Sequence, residues 1–352
     1  KNLAFSKITK IIKASPDRVE LQDKHLFQTG LASLAHLSYA AQLQFKQQQV
    51  VNLLQKAHLA DVTVIETLPS PKITGYRNKA EVPARMINGK FEIGFFRKHS
   101  HDVVPMDSFF TTDPKIDETL VAVRDILRDN YITAYNEKAH KGIIKYLLVR
   151  RGYYTGEIMV TLIATVKTFP QLPKVIQEIS ALPDVKSVIL NYNPQKTNVI
   201  LGRKDILLAG NPFIVDKIND LDFMISPQSF FQINSEQTSR LYELAIKQAE
   251  ITKEDTVVDA YSGIGTIALS VAPYAKKVLG VEVVKSAVDD AKNNAQLNQI
   301  ENAHFTLGKA EEVMPKWAED GLDTDVVFVD PPRKGLTSEF IQAAVKTQPQ
   351  KI

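Results

Sequence analysis

The chain of 352 residues contains no cysteine. This excludes disulfides, thiolate zinc sites, cysteine-ligated iron–sulfur clusters and a cysteine nucleophile within these residues. No apolar run approaches the roughly 18 residues that would suggest a membrane span, and no signal peptide is visible. Neither sign of charge dominates, since 43 Lys and Arg stand against 40 Asp and Glu, a net charge of +3. That balance allows an anionic partner without requiring one, and the lack of cysteine fits a reducing, cytoplasmic compartment.

The residues that are present have the composition of an ordinary globular protein. Hydrophobic residues make up 44% and charged residues 24%, which argues against wholesale disorder. At roughly 100–200 residues per domain, the length indicates two or three domains.

The first 60 residues indicate little independent structure. A strand-like run covers residues 7–12 and a turn signal follows it. Because one or two strands cannot form a core, we interpret residues 1–20 as the remnant of a small β barrel. Residues 21–60 are assigned to a linker and a helix over Tyr39–Ala60. The apolar residues spaced along one face of that helix are Leu43, Val50, Leu53 and Leu54.

Residues 61–225 alternate between short strands and two helices, which indicates a compact α+β middle domain. Asn88-Gly89 is typical of a hairpin turn, because both residues tolerate positive φ. Basic residues are frequent here, and they form either solvated strand edges or a surface for a phosphate backbone. They are Arg77, Lys79, Arg85, Arg97, Lys98, Lys145, Arg150 and Arg151. The strands are predicted over 145–150, 157–164 and 185–192, and the helices over 116–129 and 173–181.

Residues 226–352 change character. Strand and helix patterns alternate, which is typical of a doubly wound, Rossmann-like parallel sheet with ligands at the strand ends. The strands are predicted over 256–259, 277–282 and 325–330, and the helices over 234–250, 267–273 and 286–298.

A glycine-rich turn connects the first of these strands to its helix. In Asp259–Thr266, Gly263 and Gly265 permit a sharp turn and leave room for a ligand against the backbone. Glu282 ends the next strand, where its carboxylate can accept hydrogen bonds from both ribose hydroxyls of an adenosyl ligand. Asp330, followed by two prolines, ends a later strand beside the same crevice.

Two nucleotide-type ligands fit this pattern. The residues from Gly263 to Ala268 match the dinucleotide fingerprint, with Glu282 at about the expected spacing of ~20 residues. Asp259 favours a methyl donor instead, since a negative charge suits the ammonium and sulfonium of S-adenosylmethionine and repels a pyrophosphate. A bare glycine turn without a ligand is the remaining alternative.

Three segments resemble the RNA (uracil-5-)-methyltransferase family, whose members make 5-methyluridine in ribosomal or transfer RNA. They are Ser226–Asn234 (S-P-Q-S-F-F-Q-I-N), Asp259–Thr266 and Asp330–Gly335 (D-P-P-R-K-G). Tyr76–Lys79 and Gly94–Arg97 also resemble the family's middle domain. The similarity is strongest to the 23S ribosomal RNA enzymes of low-GC Gram-positive bacteria.

The resemblance implies a fold, a cofactor and a set of contacts. The fold is an N-terminal barrel of the TRAM type, a middle domain that binds RNA and a methyltransferase domain. S-adenosylmethionine would be the cofactor, and 23S ribosomal RNA the partner of a monomeric enzyme that contacts no membrane. The residues that would contact S-adenosylmethionine are Gln232, Tyr261, Glu282 and Asp330, together with the turn residues Asp259, Gly263 and Gly265. The residues that would contact RNA are Arg77, Lys79 and Arg97.

The sequence departs from the family in two places. Many relatives carry a cysteine cluster for iron and sulfur before the middle domain, but residues 24–36 have none, so no cluster is expected and His25 and His36 are interpreted as structural. The family's nucleophilic cysteine and general base would follow Ile352. We therefore expect a chain cut at both ends, whose residues alone are inactive in carbon methylation. The alternatives are a transfer RNA uracil methyltransferase, an amino-group methyltransferase that uses Asp330-Pro331-Pro332, and a non-catalytic RNA-binding protein.

Overall fold

The structure is a computed structural model that describes residues 8–21, 23 and 25–352. Its N-terminal part holds helices α1 (His25–Thr29) and α2 (Tyr39–Lys56). The strand predicted over residues 7–12 is absent from residues 8–12, and residue 7 lies outside the described part. Ile8 and Ile12 are 80% and 95% exposed, so this apolar run has no sheet to join, and no strand supports the barrel interpretation in residues 8–20.

Helix α2 begins where the sequence predicts and ends four residues early. The Ser38 hydroxyl caps it by accepting from the Ala41 N–H at 3.3 Å. None of its residues is fully buried. Leu43 and Leu54 are half-buried, but Val50 and Leu53 remain exposed, so only part of the predicted apolar face is packed.

The middle of the chain forms a seven-stranded sheet with two helices. Its strand order is β3-β2-β1-β4-β5-β6-β7, antiparallel throughout except for β5 and β6, which are parallel and joined through α4. The elements are β1 (Lys79–Ile87), β2 (Lys90–Phe96), β3 (Val103–Pro105), α3 (Pro114–Asp129), β4 (Ile144–Arg151), β5 (Ile158–Ala164), α4 (Leu172–Ser180), β6 (Val185–Tyr192) and β7 (Lys204–Gly210). The Asn88-Gly89 hairpin turn is confirmed, with φ of +50° and +77°.

The two faces of this sheet have different partners. Helices α3 and α4 cover one face, where Val82, Leu147 and Val160 lie in a core with Leu120 of α3 and Val175 of α4. All seven residues of β5 are buried. Since successive side chains of a strand point to opposite faces, β5 is covered on both sides. Its second face joins the core of the C-terminal elements through Met159.

The C-terminal part contains a hairpin and a four-stranded parallel sheet. Its sheet order is β12-β11-β10-β13, and all three pairings are parallel. The elements are β8 (Ile214–Ile218), β9 (Leu221–Ile225), α5 (Ser235–Ala249), β10 (Thr256–Asp259), α6 (Thr266–Val271), β11 (Lys277–Glu282), α7 (Lys285–Leu297), β12 (Ala303–Leu307), α8 (Ala310–Glu319), β13 (Val326–Phe328) and α9 (Ser338–Thr347).

Helices cover both faces of the parallel sheet. Val257 and Val278 face α6 and α7 together with the β8–β9 hairpin, whereas Val258 and Leu279 face α8 and α9. A mixed α/β fold is thereby confirmed. Among the described helices, none is long and apolar enough to cross a membrane.

Candidate functional site

The candidate site lies at the carboxyl edge of the parallel sheet. The chain runs from β10 to β11 and β12 on one side and then crosses to β13 on the other side of β10. The strand order therefore reverses at β10, and a crevice at such a switch point is where open α/β sheets bind ligands. Asp259 ends β10, Glu282 ends β11, and Asp330 follows β13 by two residues. The structure thus brings together the three carboxylates that the sequence singles out.

The glycine-rich turn is closed by backbone hydrogen bonds. The Ser262 N–H donates to the Val281 carbonyl at 3.0 Å, and the Gly265 N–H donates to the Ser262 carbonyl at 2.7 Å. Gly263 has φ +52°, and a Cβ added there would meet nothing within 4 Å. Gly265 has φ +86°, and a Cβ there would lie 2.9 Å from a ring atom of Phe305. Gly263 therefore leaves open space above the turn, whereas Gly265 permits close packing below it.

Glu282 supports this turn from the neighbouring strand. One carboxylate oxygen accepts from the Gly263 N–H at 3.1 Å, and the other accepts from the Val284 N–H at 2.8 Å. Each oxygen of an ionised carboxylate can accept a second hydrogen bond. The half-buried Glu282 is therefore oriented by the backbone and can still bind two hydroxyls.

Asp259 lies beneath the turn and is 1% exposed. Its Oδ2 accepts from the Ala268 N–H at 2.9 Å, in the first turn of α6. Its Oδ1 is buried without a partner among the described residues. Burial raises the pKa of Asp259 to about 7, and the charges of Asp330 and Glu282 act in the same direction. The negative charge that the sequence predicts is therefore only partly present at neutral pH.

Gln232 and Asp330 meet across the crevice although 98 residues separate them. The Gln232 Nε2 donates to Asp330 Oδ2 at 3.2 Å. Tyr261 lies at the edge of the same turn, with its partly buried ring 5.5 Å from the ring of Phe340.

The middle sheet holds the segment that carries Gln232. Asn78 donates from Nδ2 to the Gln232 carbonyl at 2.8 Å and from its backbone N–H to the Ile233 carbonyl at 3.0 Å. Buried Arg150 donates to the Ser229 carbonyl at 2.8 Å. Burial lowers the pKa of Arg150 to about 10. The segment that carries Gln232 is therefore held in position by residues of the middle sheet.

Sequence reasoning missed two aromatic residues at this site. Tyr242 of α5 is buried, and its hydroxyl lies 3.0 Å from Thr266 Oγ1. Burial raises its pKa to about 12, helped by the charges of Asp259 and Asp330. A single tyrosine in an amphipathic helix gives no sequence signal for such a position.

Phe230 is the second missed residue. Its ring is 67% exposed, whereas the adjacent Phe231 is buried in the core. The contrast between two neighbouring phenylalanines is visible only in the folded chain. An exposed ring two residues from Gln232 offers a stacking surface beside the crevice.

The three predicted RNA contacts lie at one end of the β1–β2 hairpin. Arg77 and Lys79 stand at the start of β1 and Arg97 just after the end of β2, which antiparallel pairing places at the same end. Arg97 is exposed and Arg77 is half-buried, and Lys79 pairs with Glu81 at 2.8 Å. Of the wider basic set, Lys145 and Arg150 are buried rather than at solvated strand edges.

Comparison with known proteins identifies relatives of the whole chain. A family model for tRNA (uracil-5-)-methyltransferases matches residues 38–349. An uncharacterized RNA methyltransferase of Lactobacillus johnsonii is 63% identical over 352 residues, covering 100% of this chain and 78% of that protein. One from Lactiplantibacillus plantarum is 49% identical over 353 residues, covering 100% of this chain and 77% of that protein.

A solved structure has the same arrangement. The tRNA (uracil-54, C5)-methyltransferase of Pyrococcus abyssi, in complex with S-adenosyl-L-homocysteine, superposes with a TM-score of 0.77 at 26% identity. The match covers 97% of this chain and 76% of that one. The resemblance seen in the sequence is therefore confirmed, and the chain belongs to the tRNA (uracil-5-)-methyltransferase family of RNA methyltransferases.

Proposed function

We propose that this protein serves methyl transfer from S-adenosylmethionine to C5 of a uridine in RNA. The observation that carries the proposal is the convergence of Gln232, Glu282 and Asp330 around an open glycine turn at the switch point of the sheet. Open space above Gly263 and free acceptor capacity on Glu282 fit an adenosyl ligand.

Each group has a definite part in holding the methyl donor. Glu282 accepts from the ribose hydroxyls, while Gln232 and Asp330, already hydrogen-bonded to each other, bind the methionyl end. Tyr261 provides an aromatic face at the edge of the turn. Asp259 supports α6 from below and adds negative charge when it is ionised. When bound, S-adenosylmethionine supplies an electrophilic methyl group on sulfonium.

The uracil requires activation because its C5 is a poor nucleophile. A thiolate that adds to C6 turns the ring into an enolate, and a base later removes the C5 proton. None of the 352 residues is a cysteine. These residues therefore hold the methyl donor and the uracil but do not supply the thiolate. The uridine must leave its stack to reach the crevice, and the exposed ring of Phe230 is placed to stack on it.

The proposed RNA contacts are Arg77, Lys79 and Arg97. They lie at the same end of the β1–β2 hairpin as Asn78, which binds the segment that carries Gln232. The sequence resemblance favours 23S ribosomal RNA as the substrate. The Pyrococcus relative acts on transfer RNA, which makes transfer RNA the second candidate.

Titration calorimetry with S-adenosylhomocysteine tests the donor site. Glu282→Ala removes two charge-assisted hydrogen bonds of about 1.5–3 kcal/mol each, so affinity should fall at least 100-fold. Glu301→Ala, at an exposed position beyond α7, is the control and should bind like the wild type. Unchanged affinity in Glu282→Ala would remove the ribose assignment.

Labelled S-adenosylmethionine separates the chemical alternatives. When the protein is incubated with the labelled cofactor and with 23S or transfer RNA transcripts, uracil C5 should stay unlabelled, because the 352 residues contain no cysteine. Label on an exocyclic amine would instead establish the amino-group chemistry.

The double substitution Arg77→Glu with Lys79→Glu should weaken RNA binding and reduce the dependence of that binding on salt concentration. Lys253→Glu, in the C-terminal part of the chain, is the control.

A further inference from the structure

A second pocket lies in the middle domain, outside the candidate site. Its volume is about 370 Å³, within the range of small-ligand pockets. Glu81, Pro83 and Arg85 of β1 line it, and they alternate along the strand with core residues Val82 and Ala84. The pocket therefore opens on the face of β1 and β4 that α3 and α4 leave uncovered.

The lining combines aromatic rings with cations. The rings are those of Phe95, Phe96, Tyr135 and Tyr146. Lys145 Nζ lies 5.0 Å from the ring centre of Tyr135, and the Arg85 guanidinium lies 5.3 Å from that of Phe96. Buried Lys145 also donates to the Gln195 carbonyl, and desolvation lowers its pKa. Rings and guanidinium planes together are the surfaces on which unpaired nucleobases stack.

The rim of the pocket is polar. Glu137 accepts one hydrogen bond from Arg85 and another from His101 Nδ1, which lies 3.1 Å from its carboxylate. The Tyr135 hydroxyl lies 2.8 Å from His140 Nδ1. Exposed Lys196 stands at the mouth. Fixed polar groups of this kind can bind the edge of a base, and the lysine can bind its phosphate.

The pocket shares a sheet face with the segment that reaches the candidate site. Lys79 and Arg85 lie on one face of β1, six residues or roughly 20 Å apart. Lys79 is the register partner of Arg150, which holds the Ser229 carbonyl next to Phe230. A single strand stretched to about twice its 3.4 Å rise in a duplex would cover the distance from Arg85 to Lys79 in roughly three nucleotides. A base in the pocket is therefore at least that far along the strand from a base in the crevice beyond Lys79.

We propose that this pocket binds a second unstacked base of the RNA substrate, at least about three nucleotides from the methylated uridine. The proposal rests on the proposed function, since it takes RNA as the ligand. The pocket would then select RNA whose loop presents two unpaired bases at that separation.

Abasic scanning tests this inference by fluorescence anisotropy. The probes are RNA hairpins with one loop uridine and a single abasic site at each of five positions on either side. For the wild type, one abasic position at about three or more nucleotides from the uridine should lower affinity about 5- to 150-fold. In Phe96→Leu, which removes a stacking ring, binding should fall by a similar factor, and the same abasic site should then cost nothing more.

One control and a second pocket variant keep the result decisive. Tyr131→Leu removes an 88% exposed ring at the end of α3, away from the pocket, and should retain the abasic effect. Lys196→Ala, at an exposed position, should weaken binding without any risk to folding. If the loss of affinity caused by Phe96→Leu adds to the loss caused by every abasic site, the pocket does not bind a base. If the wild type does not bind S-adenosylhomocysteine, the proposed function is refuted, but the abasic result still decides whether the pocket binds a base.

Discussion

The two sheets present their functional groups in different ways. In the seven-stranded sheet, alternate residues of a strand share one face, so Lys79, Glu81 and Arg85 line that face along the length of β1. In the four-stranded sheet all strands run parallel, so Asp259 and Glu282 end at one edge. The first arrangement suits an extended ligand such as an RNA strand, and the second suits a compact one held at a point.

The two regions also share a device, a buried aspartate with a raised pKa. Asp117 of α3 accepts from the Phe109 N–H at 2.9 Å, and Asp259 accepts from the Ala268 N–H at 2.9 Å. Burial raises the pKa of each to about 7. Only Asp259 faces other carboxylates of the candidate site, so substitutions of the two aspartates separate folding from ligand binding.

The largest expected effect is on the pH dependence of stability. The unfolded state loses the Asp259 proton near the ordinary pKa of 3.8 and the folded state near 7, so stability falls as pH rises between these values. Asp259→Asn keeps the acceptor for Ala268 without titrating. Its free energy of unfolding relative to the wild type should rise by about 4 kcal/mol from pH 4 to pH 8, measured by urea denaturation.

Asp117→Asn is the matched substitution in the other region. Its free energy of unfolding relative to the wild type should also rise from pH 4 to pH 8, and by about the same amount, because the pKa of Asp117 is raised to the same value of about 7. At pH 8, only Asp259→Asn should lower the affinity for S-adenosylmethionine relative to that for S-adenosylhomocysteine. The reason is that S-adenosylmethionine carries a positive sulfonium and S-adenosylhomocysteine does not. An unchanged ratio would show that the Asp259 charge does not recognise the methyl donor.

A smaller effect distinguishes the glycine turns of the two regions. Gly265→Ala combines a strained φ with a contact of 2.9 Å to Phe305, and should cost about 3 kcal/mol. Gly89→Ala meets no atom within 4 Å, and should cost about 1–2 kcal/mol from its φ alone. Equal losses in thermal unfolding would contradict the assignment of Gly265 as a packing glycine.

The smallest expected effect probes the connection between the regions. Asn78→Ala leaves the Gln232 carbonyl and Ser235 Oγ without their donor, at about 1–3 kcal/mol of stability. Asn130→Ala is the control, because buried Asn130 donates to the Ile126 carbonyl and to Glu178, which both lie on the helices that cover the middle sheet. Both should lose similar stability, but only Asn78→Ala should weaken S-adenosylhomocysteine binding, by about tenfold at 1.4 kcal/mol. Equal binding by both variants would mean that Asn78 does not position Gln232.

Strongly patterned elements could be predicted from the sequence. Strands β6, β10 and β11 have the predicted bounds, because continuous apolar runs between turn signals are characteristic of buried strands. Strands β7 and β12 and helices α8 and α9 were not predicted. Helix α8 contains Pro315, which normally ends a helix pattern, and β12 is a five-residue strand stabilised by its pairing with β11.

The sequence by itself determined the local features of the site. Glycines at positive φ and carboxylates after apolar runs are properties of neighbouring residues, so Gly263, Gly265, Asp259 and Glu282 could be chosen before any fold was known. The tertiary structure alone decided that Gln232 meets Asp330, that Tyr242 is buried beside Thr266 and that Phe230 is exposed. These contacts join residues far apart in the chain, and their burial and pKa depend on neighbours that no local pattern specifies.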